Sequence, residues 1–432
     1  MKKNYITMII FLCIVFGGMF AIVINAAYKN INEDMGANSE SLKARTRVAV
    51  NYAEQYPYIY SRTYIGQTEN EKGILALFDE KIGIITSKVE SYATEKVPYR
   101  EAIVGINNRI NKLLGNGYVT GDESIIEIKE NYFVSLGETV DVTPHCDQIK
   151  MISEFCEGQN IPFIYVQAPC KLDKYDESLL VEDVINANGD MLIEGIQTAD
   201  VDYIDLRETI HINEMDLYDM FYETDHHWKA ETGVWASKLV INEINMRYGI
   251  GLDETVFEEE FLSACYEERL LGSLGKKVTM EVASLEDFTI LYPSGYTDLS
   301  IDVPAYEYAA RGEFMDVVID WMWLDNVDNI DYYNEYIYES YCYGNNALIQ
   351  MENHLCDNDK RVLILSNSFG LVVTPYIALS AKYVDQIHPG FFNGSIKKYI
   401  EVTKPDVVIA LYSPSSIAPI TGDGDSSIFV FD

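Results

Sequence analysis

Hydrophobic positions along this chain fall into two rhythms. Short apolar runs, Ile161 to Val166, Val201 to Leu206, Arg361 to Leu365, Tyr383 to Ile387 and Val407 to Leu411, alternate with stretches whose apolar residues recur at helical spacing. Runs of that length predict buried strands. Ile149, Ile152 and Phe155, and later Val234, Val240, Ile241, Ile244 and Tyr248, predict helix faces that stop at Gly158 and Gly249. Strand–helix–strand repetition predicts an α/β chain built on a parallel, doubly wound sheet.

The flanking regions read differently. Val97-Pro98-Tyr99-Arg100-Glu101 opens an amphipathic helix with Ile103, Ile106, Ile110 and Leu114 on one face, ended by Gly115-Asn116-Gly117. Short strands are expected around Ile125-Ile126 and Tyr132-Phe133-Val134. Between about residues 278 and 344 the pattern turns alternating and tyrosine-rich, as in Val278, Met280 and Val282 and in Phe288 to Tyr292. That predicts a β-rich insertion able to cover a site or hold substrate. Residues 28–95 are polar and mixed and read as a stalk with helical pieces, followed by one large domain over 96–432.

Residues 1–27 carry an address. Lys2 and Lys3 precede an apolar run from Ile6 to Ile24, about the length of a bilayer-crossing helix. The lysines predict a cytoplasmic N-terminus and a single-pass anchor in the cell membrane, with the globular domain outside the cytoplasm. Asn25-Ala26-Ala27 offers the alternative, a cleaved signal and a secreted product. The formal net charge of −36 over 432 residues argues against nucleic acid, which demands clustered Lys and Arg. Six of the seven cysteines follow the anchor at irregular spacing without a C-x-x-C pattern, which gives no sign of a zinc cluster.

Chemistry concentrates in two stretches. Thr224-Asp225-His226-His227-Trp228 holds two of the six histidines just ahead of a helix. Val362 to Leu365 runs into Ser366-Asn367-Ser368-Phe369-Gly370, a strand end with serine. Two residues apart, Asp225 and His227 share a side of an extended segment, so the carboxylate orients the imidazole of His227 and leaves its other nitrogen for a serine. Sites on open parallel sheets form beyond the carboxyl ends of strands, where Ser368 falls. Ser366 competes with it, as do Ser413, Ser415 and Ser416 after another strand. Backbone N–H groups at the following helix start are candidates for an oxyanion hole. Asn367, Gly272 and Ser273 are candidates for contact with an oxyanion or a sugar, and Lys171 is a candidate cleft residue with a surface position as its alternative. This Ser-His-Asp chemistry calls for no cofactor and no metal.

The tetrad Asp225-His226-His227-Trp228 resembles the signature of the DHHW protein family, SGNH-hydrolase-like relatives of the alginate O-acetylation proteins. Val97 to Arg100, Gln167 to Lys171, Leu271 to Lys276 and Leu365 to Gly370 extend the resemblance over roughly residues 95–415. It implies an SGNH-type three-layer α/β/α domain in which Asp and His precede Ser, with Ser368 as nucleophile, His227 as base and Asp225 as its orienter. It further implies O-acetylation of an exported cell-surface polysaccharide, with a membrane-bound O-acyltransferase as acyl donor. The chain departs from the family pattern at Asn367, where relatives usually carry Asp, and at Ile387-His388-Pro389, where an Asp-Leu-Arg-like segment is expected.

Two other functions fit parts of the sequence. A glycan-binding or scaffold protein on a worn hydrolase fold would suit Asn367 and the tyrosine-rich insertion. A metal-dependent phosphoesterase would use Asp225-His226-His227 as ligands, but needs further carboxylates at strand ends, where only Asp423-Gly424-Asp425 offers a tight pair.

Overall fold

The computed structural model describes residues 100–114, 117–120, 123–325, 330–420 and 428–431. The expected anchor and stalk lie outside them. Among the described residues no helix is long and apolar enough to cross a membrane. Residues 105–432 fall in one compact unit, which holds the sheets and every candidate site residue.

Five apolar runs form the parallel heart of one large sheet: β4 (Phe163–Gln167), β5 (Tyr203–Asp205), β11 (Arg361–Ser366), β12 (Tyr383–Ile387) and β13 (Val407–Tyr412). Together with β8 (Leu299–Val303), β9 (Tyr308–Gly312) and β10 (Leu348–Asn353) they form eight strands in the order β5-β4-β13-β11-β12-β10-β8-β9. The first five are parallel, and β10, β8 and β9 add antiparallel strands at the far edge. The tyrosine-rich region is therefore partly an extension of the main sheet. A three-stranded sheet, β1 (Tyr118–Thr120), β2 (Glu123–Lys129) and β3 (Tyr132–Leu136), and a hairpin of β6 (Phe261–Leu270) and β7 (Glu286–Pro293) stand beside it.

Both faces of the sheet are covered. Val362 and Ile364 of β11 join the core that holds Trp228 and the Val240, Ile241 and Ile244 face of α5 (Ala230–Tyr248). The alternate residues Leu363 and Leu365 are equally buried, and period two puts them on the opposite face. There α2 (Thr143–Gly158) packs on β4 and against α3 (Val184–Thr198) and α7 (Ile396–Thr403). Strands apolar on both faces belong in the middle of such a mixed α/β fold.

Several local expectations change. The Val201–Leu206 run keeps only three strand residues, because Asp205 accepts the Arg207 N–H and starts the helix α4 (Leu206–Ile212). Val278, Met280 and Val282 are not a strand: Val278 ends the helix α6 (Ser273–Val278), and Thr279 turns left-handed at φ 71°. In α1 (Arg100–Leu114) two positions of the expected isoleucine face are not packed. Ile106 and Ile110 are exposed, while Asn108 is buried and donates to Val278 O at 2.9 Å. Strand β10, apolar at Leu348, Ile349 and Met351, lies outside the five runs read from the sequence, yet it joins the parallel and antiparallel halves of the sheet.

Candidate functional site

Beyond the end of β11 the chain makes a 3-10 turn, Ser368–Val372, capped by Asn367, whose Oδ1 accepts the Phe369 N–H at 3.2 Å. Helix α5 lies close against this turn. A Cβ at Gly233 would stand 1.9 Å from Val372 O, so only glycine permits that approach. The Ser237 hydroxyl adds a bond to Val373 O. Trp228, fully buried, donates its indole N–H to Phe369 O at 3.2 Å. The last residue of the tetrad therefore ties the histidines to the serine turn.

Residues 221–228 form a bent loop, closed by a bridge between Phe221 and Trp228 and by the Lys229 N–H on Met220 O. The extended segment expected from sequence is absent, and an Asx turn does its work. Asp225 Oδ1 accepts both the His227 N–H at 3.0 Å and the His227 Nδ1–H at 2.6 Å. With its Nδ1 proton given to Asp225, His227 offers Nε2 as acceptor to Ser368 O–H, 2.7 Å away. Ser366 is instead buried and bonded to Leu411 O, while Ser413 and Ser415 bond one another. Ser416 Oγ accepts from Asn367 Nδ2 at 2.9 Å.

Asp225 is almost completely enclosed. Its Oδ2 accepts the Ser273 N–H at 2.6 Å. Burial alone would raise the carboxyl, but the charges of His227 and His226 and the bonds from His227 and Ser273 outweigh it. They hold it well below the usual carboxylate range, so it stays an anion facing the imidazole.

The candidates for oxyanion or substrate contact have other engagements. Gly272 donates its N–H to Thr224 Oγ1 at 2.9 Å, and the Ser273 N–H is spent on Asp225. Ser273 Oγ meets His226 Nδ1 at 2.7 Å. At the serine turn, the Phe369 and Gly370 N–H groups both go to Asn367. Lys171 is neither in the cleft nor on the surface. Buried behind the tetrad, its ammonium donates to Tyr222 O and Glu223 O, both at 2.7 Å, with the Tyr132 ring 4.1 Å away.

Glu286, which carries no signal in the sequence, completes this support. Its carboxylate accepts from Glu223 N–H, Thr224 N–H and Thr224 Oγ–H. The buried Lys171 amine thus holds the carbonyls, and the half-buried Glu286 carboxylate the N–H groups, of the residues leading into Asp225. Burial pushes Lys171 down to about 7 against the pull of Glu286, Asp225 and Glu223. Burial also raises Glu286, opposed by the bonds from Thr224 and Glu223.

Asp225, His226 and His227 also present three ligand atoms within 4.8 Å of one another. Those atoms are already committed: both Asp225 oxygens, both His227 nitrogens and His226 Nδ1 are hydrogen-bonded within the protein. A metal would have to displace that network. The arrangement as it stands suits proton transfer between Ser368 and His227.

No family model and no curated protein matches the chain. Solved structures do match. The chain is similar to Bacillus cereus PatB1 at 19% identity and TM-score 0.57, over 72% of this chain and 100% of that one. The structure of Bacillus cereus PatB1 with a sulfonyl adduct overlaps at TM-score 0.56, with 19% identity over 72% and 99% of the two chains. A DHHW family protein from Eubacterium siraeum overlaps at TM-score 0.51 with 14% identity, over 72% and 96%. At these identities the likeness is one of fold: this chain has the α/β fold of PatB1 and of a DHHW family protein, the family its tetrad resembles.

Proposed function

We propose that this protein is an extracytoplasmic serine O-acyltransferase or esterase on an SGNH-hydrolase-like domain, acting on hydroxyl groups of an exported cell-surface polysaccharide. The observation that carries the reading is the hydrogen-bonded line from Asp225 through His227 to Ser368, with contacts of 2.6 and 2.7 Å. Sequence resemblance to the DHHW family supports acetyl as the acyl group and transfer over hydrolysis. The apolar run at Ile6 to Ile24 supports a membrane anchor, and the family resemblance implies a membrane-bound O-acyltransferase as acyl donor.

The chemistry follows from the geometry. Ser368 Oγ attacks the acyl carbonyl carbon while its proton passes to His227 Nε2. The tetrahedral adduct collapses when that proton moves to the leaving oxygen, which leaves an acyl ester on Ser368. A sugar hydroxyl then gives its proton to His227 Nε2, attacks the ester carbon and carries the acyl group away, and Ser368 recovers the proton. Water in place of the sugar gives hydrolysis. Asp225 remains ionised throughout and stabilises the transient imidazolium.

The test is acetyl-ester turnover by the full-length chain beside Ser368→Ala and His227→Ala, with mass analysis for an acetyl group on Ser368. Turnover that survives both substitutions would overturn the reading. A sulfonyl fluoride supplies a second probe, because activated hydroxyl nucleophiles react with it. Wild type should be modified at Ser368, and Ser368→Ala should not react.

A further inference from the structure

The imidazole of His227 is held by more than its two hydrogen bonds. Tyr338 lies flat against it, with ring centroids 3.9 Å apart and planes 8° apart. The His226 ring stands 3.8 Å away at 37°, and Phe369 lies at 5.6 Å. Tyr338 is only 4% exposed, and its hydroxyl is buried without a hydrogen bond, since the Trp228 N–H beside it is given to Phe369 O. What Tyr338 brings to the site is therefore the face of its ring.

That ring is delivered by a strap pinned on its C-terminal side. Residues Ile337–Ser340 form a 3-10 turn. The Asp320 N–H then donates to Ser340 O and the Cys342 N–H to Val318 O, both at 2.7 Å, around a bridge between Ile319 and Tyr341. The strap leaves through three successive left-handed residues, Cys342, Tyr343 and Gly344, at φ 53°, 62° and 82°. Two side-chain-bearing residues in that region are costly, and such conformations persist only where the surrounding structure dictates them.

We infer that Tyr338 is a positioning residue for the reaction: its ring face keeps the His227 imidazole aimed at Ser368 and stabilises the imidazolium formed when Ser368 gives up its proton. The inference rests on the proposed Ser368–His227 chemistry. Stacking removes the rotation that would swing Nε2 off the serine. The π face also lies over the position where positive charge develops in a water-poor site, the setting in which cation–π attraction is strongest. The contact acts on the transition state, so its loss should lower kcat and leave KM in place.

The experiment compares wild type, Tyr338→Phe, Tyr338→Leu and Ser368→Ala as full-length chains, by acetyl-ester kinetics and by the rate of sulfonyl fluoride labelling. Active sites are counted by titration, and folding is checked by thermal unfolding. Tyr338→Phe should stay within about twofold of wild type. Tyr338→Leu should lose roughly 10- to 30-fold in kcat per titrated site and in labelling rate, the span of a desolvated cation–π contact, with KM unchanged. Should leucine prevent folding, Tyr338→Met conserves bulk without a π face and is expected to show the same loss. Leucine and methionine variants as fast per site as wild type overturn the inference. So does a phenylalanine variant as slow as the leucine one, which would assign the effect to the hydroxyl. Activity or labelling that survives Ser368→Ala marks the other failure, that of the Ser368–His227 reading.

Discussion

Replacing Gly272 with alanine should disable the site from outside it. The backbone at Gly272, φ −68° and ψ 172°, is open to alanine, so the penalty comes from contact alone. The added Cβ would stand 2.4 Å from Asp225 Cβ, Asp225 N and Thr224 O. Ordinary contact begins at 3.4 Å, so the two segments must part by about 1 Å. The obstructing atoms are backbone and Cβ, which no rotamer change removes. Separation strains the Ser273 N–H bond to Asp225 Oδ2 at 2.6 Å and the Gly272 and Gly275 N–H bonds to Thr224 at 2.9 and 2.8 Å. A displacement of about 1 Å at a reacting group costs on the order of 100-fold in rate, and overpacking costs about 1–3 kcal/mol of stability. Acetyl-ester kinetics and sulfonyl fluoride labelling of Ser368 read the first, and urea unfolding the second. Gly158→Ala is the control, because its Cβ would meet nothing within 4 Å. A Gly272→Ala protein that reacts at the wild-type rate refutes the claim that this backbone contact sets the position of Asp225.

Three further outcomes are expected of the site. Lys171→Met leaves the Tyr222 and Glu223 carbonyls without their buried donor and should cost about 1–3 kcal/mol in urea unfolding; a loss below about 0.5 kcal/mol would deny the cradle its role. Asp225 has a folded pKa below its unfolded value, so its stabilisation is complete above the unfolded value of about 3.9 and is lost as pH falls through the folded one. The stability gap between wild type and Asp225→Asn should therefore narrow below about pH 4, and a gap constant with pH would contradict the shift. Asn367→Ala removes the cap on the Ser368 turn and the tie to Ser416, at a cost of about 1–2 kcal/mol, whereas Asn367→Asp keeps an acceptor for both groups and should unfold within about 0.5 kcal/mol of wild type; thermal unfolding separates the two.

Much of the central sheet was legible because buried parallel strands are written as unbroken apolar runs. β4, β11, β12 and β13 lie where those runs lie. Asp225, His227 and Ser368 were legible for a chemical reason, as residue types at a turn and at a strand end. What stayed hidden was contributed from far along the chain. Glu286 reaches Thr224 across 62 positions, and Ser368 reaches His227 across 141. Tyr338 was one tyrosine among 32, with nothing local to mark the ring that stacks on the base.

The sequence by itself determined an α/β core, an Asp-His loop ahead of a helix, and a serine beyond a central strand. Periodicity reports burial, and residue type reports chemistry, both one position at a time. Only the tertiary structure decided which serine meets the imidazole, that Lys171 supports the loop from behind, and that Gly272 and Ser273 hold Asp225. Those are pairings between segments, fixed by strand order and by backbones close enough to touch, and neither quantity is written in the local pattern of any one segment.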